Sequence, residues 1–455
     1  MIVNGNVSFW YRQTGLPARR EPLTGPVEAD VCIVGAGFTG LWTAYYLTEL
    51  DPGLRVVLVE KEFAGFGASG RNGGWLSAQI AGAPKRYARE HGVPAVAALG
   101  RAMHDAVDEV IAIAAAEEID ADIVKSGVLR VAHAPAQLAR LRAHAAEERK
   151  WGAGDGVTLT AREVTDRIAV DGALGGVYHP QAARVHPAKL VQGLAAAVVR
   201  RGATIYESTP VTAIEPGRAR TPFGDVRAPY VIRATEGFTA GIEGERRTWL
   251  PMNSSMIATE PLPQETWAAI GWDGRELLGD EAHAYMYAQR TADDRIAIGG
   301  RGIPYRFGSR TDRRGRTQAW TVRELHAILT RLLPATATAR IDHAWCGVLG
   351  VPRDWCATVT FDPATGLGYA GGYVGHGVTT TNLAGRTLAD LVTGADTDRV
   401  RLPWVNHRVR RWEPEPLRWL GVRGLYVAYR AADRAEETRV TTSPVARIAD
   451  VIAGR

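Results

Sequence analysis

The sequence predicts an α/β fold in which a Rossmann-type nucleotide-binding domain is interleaved with an α+β second domain built on an antiparallel sheet. Near the N-terminus, the apolar strand and glycine turn VCIVGAGFTG (31–40) precede a helical segment and a second apolar strand, RVVLVEK (55–61). From residue 176, a helix between strands is typical of a β-α-β return to the same domain. Between 256 and 300, strand-like segments flank the turn TADD (291–294), which indicates an antiparallel sheet.

The glycines of the first turn have separate physical roles. Gly35 allows the tight turn, Gly37 lets the backbone approach a pyrophosphate, and Gly40 lets the helix pack closely on the strand. Phe38 and Thr39 stand at the start of that helix, where unpaired N–H groups and a partial positive charge favour phosphates. The turn therefore predicts a dinucleotide site.

The second strand ends in Glu60 and Lys61. Glu60 follows Gly40 by about 20 residues, the spacing at which an acidic side chain accepts hydrogen bonds from a ribose diol. A lone glycine turn is weak evidence, but here both strands, the helix and the acidic end are in register. A bound dinucleotide is the better interpretation, although the turn leaves open which one it is.

Composition excludes several classes of protein. The chain has 455 residues, enough for two or three domains, and its 46% hydrophobic and 23% charged residues are ordinary for a globular protein. The net charge is +5, but the densest basic stretch, 408–418, is interleaved with Trp412, Glu413 and Glu415. Such a stretch is typical of a solvated, salt-bridged surface, so we expect no nucleic-acid partner.

The cysteines and the apolar runs indicate the compartment. Cys32, Cys346 and Cys356 form neither a CxxC pair nor a disulfide framework, and we expect no metal site. No apolar run approaches the roughly 20 residues that span a bilayer, and the first residues lack the layout of a signal peptide. We expect a cytoplasmic protein without a transmembrane segment.

Periodicity and chain-breaking residues predict the remaining elements. Helices are expected near 85–100, 101–118, 135–150, 187–202 and 317–333, and strands near 127–133, 203–207, 211–214, 230–234, 256–260, 284–289 and 295–300. A half-buried C-terminal helix over 416–432, broken at Gly421 and Gly424, is expected to precede a polar tail.

The order of these elements predicts a discontinuous organisation. The nucleotide-binding domain is expected to comprise residues 1–95, 155–240 and 340–400. The substrate domain is expected to comprise 96–154 and 241–339, and residues 401–455 form a helical extension.

Four motifs together resemble a known family. They are SFWYRQ (8–13), FGASGRNGG (66–74), RATEGFT (233–239) and GGYVGHGV (371–378). This combination is similar to the FAD-dependent amine and D-amino-acid oxidase family, which includes glycine oxidase and monomeric sarcosine oxidase, and in particular to its γ-glutamylputrescine oxidase-like branch. The resemblance implies a glutathione-reductase-like FAD-binding domain.

The resemblance also implies which residues hold the FAD. Arg71, Asn72 and Gly73 would lie along the flavin, Val211 would touch adenine through its backbone, and the helix after Gly377 would point its N-terminus at the N1–C2=O region of the ring. The full expected set is Gly35, Gly37, Phe38, Thr39, Gly40, Glu60, Lys61, Ser69, Arg71, Asn72, Gly73, Gly74, Val211, Ala234, Thr235, Cys346, Gly347, Gly372, Val374, Gly375, His376 and Gly377.

The substrate side departs from the family pattern. Family members carry a GxRP motif whose arginine grips the substrate carboxylate. In WCGVLGVPRDW (345–355), Leu349 stands where that arginine would be if Gly347 is the motif glycine. Arg301 could supply a compensating charge, with Tyr285 and Tyr287 on the paired strand; a salt bridge and simple packing are the alternative roles.

Cys346 is a second departure. In monomeric sarcosine oxidase a cysteine in this region tethers the flavin, and counting back from GYVGHG places Cys346 there, whereas counting from the WxG pattern places Gly347 there. A small inert residue in a tight turn is the favoured role, and non-covalent FAD is therefore favoured over a thioether link.

The resemblance implies an oxidase of amines. The substrate would be a small-molecule primary or secondary amine, or an amino acid, and oxygen or another acceptor would take the electrons. A dehydrogenase with a different acceptor and a flavin-binding subunit without activity are the alternatives. His376 has either a catalytic role or a loop hydrogen bond.

Overall fold

The structure is a computed structural model that describes residues 4, 6–152, 154–301, 305–311, 315–437 and 439–453. Its helices are α1 (Phe9–Thr14), α2 (Phe38–Leu50), α3 (Pro84–His91), α4 (Val93–Ala116), α5 (Pro135–Lys150), α6 (Ala161–Thr165), α7 (Pro187–Arg200), α8 (Gln264–Ile270), α9 (Ala319–Leu332), α10 (Gly377–Thr393), α11 (Leu417–Glu436) and α12 (Pro444–Ala453). Short 3₁₀ turns lie at Ala68–Gly70, Glu236–Gly241, Phe307–Ser309, Pro334–Thr336 and Asp398–Arg401.

The strands in the described chain form several sheets. In chain order they are β1 (Val27–Glu28), β2 (Val31–Val34), β3 (Val56–Val59), β4 (Trp75–Ser77), β5 (Val128–Ala132), β6 (Val157–Thr160), β7 (Gly175–His179), β8 (Ala182–Arg184), β9 (Thr204–Tyr206), β10 (Ala213–Glu215), β11 (Arg218–Arg220), β12 (Val226–Arg227), β13 (Tyr230–Arg233), β14 (Leu250–Thr259), β15 (Leu277–Asp280), β16 (Tyr287–Arg290), β17 (Ile296–Arg301), β18 (Ile341–Val351), β19 (Thr358–Asp362) and β20 (Leu367–Gly371).

A six-stranded sheet in the order β19-β20-β13-β2-β3-β9 confirms the α/β prediction. Its strands pair in parallel except for β19, which is antiparallel to β20. The central strands β2 and β3 are wholly buried, as continuous apolar runs in a parallel sheet should be. Two smaller sheets, β1-β12-β11-β10 and β4-β8, accompany it.

An eight-stranded sheet in the order β18-β14-β17-β16-β15-β5-β7-β6 is antiparallel apart from the β15–β5 pair. Its longest pairing joins β14 to β18, from Leu250 opposite Val351 to Thr259 opposite Ile341. Strands β6, β7 and β18 pair here although their residues fall in segments expected for the nucleotide-binding domain. The domain bounds themselves stay a prediction.

The N-terminal arm braces the glycine-rich loop 64–75. Phe9, Trp10 and Tyr11 of α1 are buried. The Trp10 indole N–H donates to the carbonyl oxygen of Asn72 at 2.8 Å, and the Tyr11 hydroxyl donates to that of Gly65 at 3.1 Å. The arm therefore holds a loop that the sequence assigned to the cofactor.

The C-terminal extension differs from expectation in two places. Helix α11 runs unbroken through Gly421 and Gly424, and neither glycine has the positive φ of a helix-ending glycine. Such glycines lower helix stability without ending the helix. Where a polar tail was expected, α12 forms and buries Ala446, Ala449 and Ala453. None of the helices in the described chain has the length and hydropathy needed to cross a membrane.

Close packing of α2 on β2 depends on Gly40. A Cβ at this position would overlap the carbonyl oxygen of Gly35 and lie 3.1 Å from Ile33 Cγ2. Gly35 itself has a φ of 106°, which an L side chain rarely adopts. The sequence-based role of both glycines therefore has a direct steric basis.

We expect Gly40→Ala to lower the free energy of unfolding by about 3 kcal/mol, because the added methyl group must displace backbone rather than a flexible side chain. Gly424→Ala is the matched control, since it adds the same methyl group inside a helix with open space around it. The control should raise the free energy of unfolding by about 0.5–1 kcal/mol. Urea denaturation measures both, and equal effects would contradict the steric explanation.

Candidate active site

Several of the sequence motifs meet at one cavity of about 370 Å³. It extends from the glycine turn and the end of β3 to the start of α10. The predicted residues that line it are Gly35, Gly37, Phe38, Thr39, Glu60, Lys61, Ser69, Asn72, Val211, Ala234, Thr235, Gly375 and Gly377.

Two helices begin at this cavity. Helix α2 starts after Gly37, and α10 starts at Gly377 after His376; neither N-cap residue caps its helix with a side chain. The Phe38 N–H donates to Ser69 Oγ at 2.8 Å, which fastens the glycine-rich loop over the turn. Helix N-termini favour negative charge. These two helix ends fit an anionic cofactor such as FAD: α2 would hold its phosphates, and α10 would favour negative charge on its flavin ring.

Glu60 lines the cavity just after the end of β3. Its two carboxylate oxygens accept the N–H groups of Ala36 and Glu62, each at 2.9 Å. Burial raises the pKa of Glu60, and these two donors oppose that rise. A carboxylate oxygen has a second lone pair, so Glu60 can also accept a ribose hydroxyl.

The remaining predicted cofactor residues do not line this cavity. Arg71 is only 1% exposed, so its side chain does not form a surface ion pair. Its Nε donates to the carbonyl oxygen of Phe66 at 2.7 Å and its Nη1 to that of Cys346 at 3.3 Å. Arg71 thereby joins the glycine-rich loop to β18. The others that do not line this cavity are Gly40, Gly73, Gly74, Cys346, Gly347, Gly372, Val374 and His376.

Gly73 and Gly74 lie against the eight-stranded sheet. A Cβ on Gly73 would come within 2.8 Å of the Tyr287 ring. The Gln289 amide donates to the carbonyl oxygen of Gly73 at 2.6 Å. A side chain therefore does not fit at Gly73 or Gly74, where the glycine-rich loop packs against the eight-stranded sheet.

The sequence analysis missed Glu236, which also lines the cavity. Its carboxylate accepts the N–H groups of Gly372 and Tyr373, both at 3.1 Å, and that of Gly350. It therefore ties the loop after β20 to β18, with a strained φ of 38°. Glu236 is part of the segment RATEGFT quoted in the sequence analysis. Its acidic side chain in that segment was the signal that could have identified it.

A second cavity of about 260 Å³ adjoins the first, and Leu349 lines both. Tyr285, Tyr287 and Val374 line the second cavity. The Tyr287 hydroxyl lies 2.9 Å from Ser254 Oγ, and burial raises the pKa of Tyr287. Arg301 ends β17, but its side chain falls outside the described part of the structure.

Two other predicted residues lie beside the cavities rather than in them. Burial lowers the pKa of His376 to about 4, and the positive charge of Arg130 acts in the same direction. The imidazole is therefore neutral at neutral pH, and its backbone carbonyl accepts the Thr380 hydroxyl at 2.7 Å. Cys346 is 2% exposed, and its Sγ lies 3.3 Å from the carbonyl oxygen of Gly347.

Comparisons with known proteins find relatives over most of the chain. The family model DAO, described as FAD dependent oxidoreductase, matches residues 30–391. Gamma-glutamylputrescine oxidoreductase of Escherichia coli (strain K12) is 30% identical over 402 residues, covering 86% of this chain and 90% of that protein. Glycine oxidase of Geobacillus kaustophilus (strain HTA426) is 26% identical, covering 81% of this chain and 94% of that protein.

Solved structures show the same fold. The crystal structure of glycine oxidase from Geobacillus kaustophilus superposes with a TM-score of 0.68 at 24% identity, covering 84% of this chain and all of that one (100%). L-proline dehydrogenase from P. horikoshii superposes with a TM-score of 0.68 at 19% identity, covering 83% of this chain and 96% of that one.

Glu236 makes a pH-dependent contribution to stability. Burial raises the pKa of its carboxyl from 4.5 to about 7, although three N–H donors oppose the rise. The folded protein then holds this proton more tightly than the unfolded chain, so the free energy of unfolding falls as the pH rises from about 4.5 to about 7. We expect Glu236→Gln to reduce this decrease in the free energy of unfolding by about 1–3 kcal/mol. Urea denaturation with saturating FAD at several pH values measures it.

The exposed Glu265→Gln is the matched control and should keep the wild-type pH dependence. A Glu236→Gln protein whose unfolding free energy follows the wild-type slope between these pH values would contradict the assignment.

Proposed function

The chain belongs to the DAO family of FAD-dependent oxidoreductases, and from this premise we propose that it oxidises the C–N bond of a primary or secondary amine. The observation that carries the proposal is the second cavity, which adjoins the cofactor cavity at Leu349. A substrate placed there would face the end at which α10 begins. The names of the relatives, an oxidoreductase of gamma-glutamylputrescine and a glycine oxidase, support a nitrogen-bearing substrate.

With FAD bound, the proposed reaction transfers hydride from the α-carbon of a neutral amine to flavin N5, which leaves an imine. Water then hydrolyses the imine to an aldehyde or keto product, and oxygen takes both electrons as peroxide. The protein's own contribution is to hold the amine unprotonated. An apolar cavity does so by disfavouring the charged ammonium. Tyr287, whose hydroxyl pairs with Ser254, can orient the nitrogen by a hydrogen bond.

The cavity favours amines without an α-carboxylate. Leu349 occupies the shared wall, and it stands where a carboxylate-binding arginine would be if Gly347 is the motif glycine. The described guanidiniums on this cavity are already engaged: Arg353 donates to Glu413 at 3.1 Å, and Arg418 donates to Glu415 at 3.2 Å. We propose four catalytic residues, Arg301, Tyr285, Tyr287 and His376.

An anaerobic screen tests the proposal. We expect simple amines to bleach the flavin absorbance of the purified protein, with kcat/KM at least about tenfold above that of the corresponding α-amino acids, a preference equivalent to about 1.4 kcal/mol. A peroxide assay in air then shows whether oxygen is the acceptor. A flavin that no amine reduces would identify a binding subunit instead of an enzyme.

The geometry of Cys346 supports non-covalent FAD, because Cys346 lines neither cavity. We expect acid precipitation to leave the yellow colour in the supernatant, and Cys346→Ser to leave the flavin content of the protein unchanged. Cys32→Ser, at another buried cysteine, is the control for the loss of a thiol from the core. Colour that stays with the pellet and disappears in Cys346→Ser would demonstrate a thioether.

A further inference from the structure

The C-terminal extension lies beyond the part of the chain that the family model matches, which ends at residue 391. In the described segments 401–437 and 439–453, helices α11 and α12 pack on each other, and the Tyr429 hydroxyl donates to Asp450 at 2.8 Å. Both helices also reach the second cavity: Leu417, Gly421, Leu425 and Tyr426 line it from α11, and Ile452 and Ala453 from α12.

Hydrogen bonds fasten this segment to the strand that separates the two cavities and to the loop after it. The Trp412 indole N–H donates to the carbonyl oxygen of Val351 at 2.7 Å. At the other end, Arg353 Nη1 and Trp355 Nε1 both donate to the carbonyl oxygen of Ala453 at 3.1 Å. Residues on both sides of α11 are thus attached to the cavity wall.

A third attachment lies at the cavity, which His283 and Ala284 line. Glu436 of α11 pairs with His283 at 2.9 Å, and Asp433 accepts the backbone N–H groups of His283 and Ala284. These contacts attach the C-terminal end of α11 to the cavity wall.

The surface that the segment presents is apolar and aromatic. Trp412, Leu425 and Tyr426 line the cavity together with Met252 and Trp355, and the Tyr426 hydroxyl lies 3.6 Å from Met252 Sδ. The carboxylate that the segment brings, Glu413, is already paired with Arg353 and with Arg410. A second amino or carboxylate group on the substrate would therefore contact charged side chains that are already engaged in salt bridges.

We infer that the C-terminal segment completes the substrate pocket, and that it selects amines whose part distant from the reacting C–N bond is an alkyl or aryl group. This inference rests on the proposed function. Binding of such a group should strengthen with chain length, because each buried CH₂ contributes about 0.8 kcal/mol, or about fourfold in kcat/KM.

Gly421 and Gly424 of α11 provide a matched test. Both lie inside the same helix, and a Cβ at either would meet no atom within 4 Å, but Gly421 lines the cavity and Gly424 does not. We expect wild-type kcat/KM to rise about fourfold per CH₂ from propylamine to hexylamine. Gly421→Leu should lower the ratio of hexylamine to propylamine about tenfold, whereas Gly424→Leu should keep the wild-type ratio.

The possible outcomes separate the two proposals. A wild-type flavin that no amine bleaches overturns the proposed function. Bleaching without dependence on chain length, or equal ratios in the two leucine variants, overturns the inference while leaving the proposed function intact. A 1,6-diamine that is a better substrate than hexylamine also overturns the apolar assignment.

Discussion

The absence of a side chain at Gly40 is the constraint on which the site depends. It lets α2 approach the carbonyl oxygen of Gly35, and this approach places the N-terminus of the helix at the cofactor cavity. Helix α2 in turn fixes the position of helix α10. A Cβ on Gly385 of α10 would lie 2.6 Å from Cβ of Trp42, so α10 also packs at backbone distance. Two positive helix ends therefore reach one cavity because two glycines allow close helix packing.

The glycine-rich loop adds a second layer of constraint. It is held from one side by Trp10 and Tyr11 of the N-terminal arm and from the other by Gln289 of the eight-stranded sheet. Arg71, buried between them, joins it to β18 through carbonyl oxygens. Its guanidinium also lies 4.2 Å from the centroid of the Phe66 ring. Arg71 therefore holds the glycine-rich loop in place. A contact between Arg71 and the cofactor stays a prediction.

Local patterns in the sequence predicted the elements that local chemistry determines. The helix expected over 135–150 forms over those residues, and the strand–turn–helix unit at Gly35–Gly40 forms as its glycine spacing indicates. The C-terminal helix was predicted, but its break at Gly421 and Gly424 was wrong, because a glycine inside a helix and a glycine that ends one look alike in sequence. The backbone conformation distinguishes them: Gly421 and Gly424 lack the positive φ of Gly394, which ends α10. An amphipathic stretch rich in alanine was likewise interpreted as a tail.

The parts of the site that sequence could not predict are those made by distant segments. Glu236 acts through N–H groups more than a hundred residues away, and the position of Leu349 between two cavities depends on how β18 crosses the sheet. The walls of the cofactor cavity come from residues 34–72, 210–242 and 348–381, with two further contacts near residue 310. Because the last of these residues is Thr381, the complete cavity can form only after most of the 455-residue chain has been synthesised.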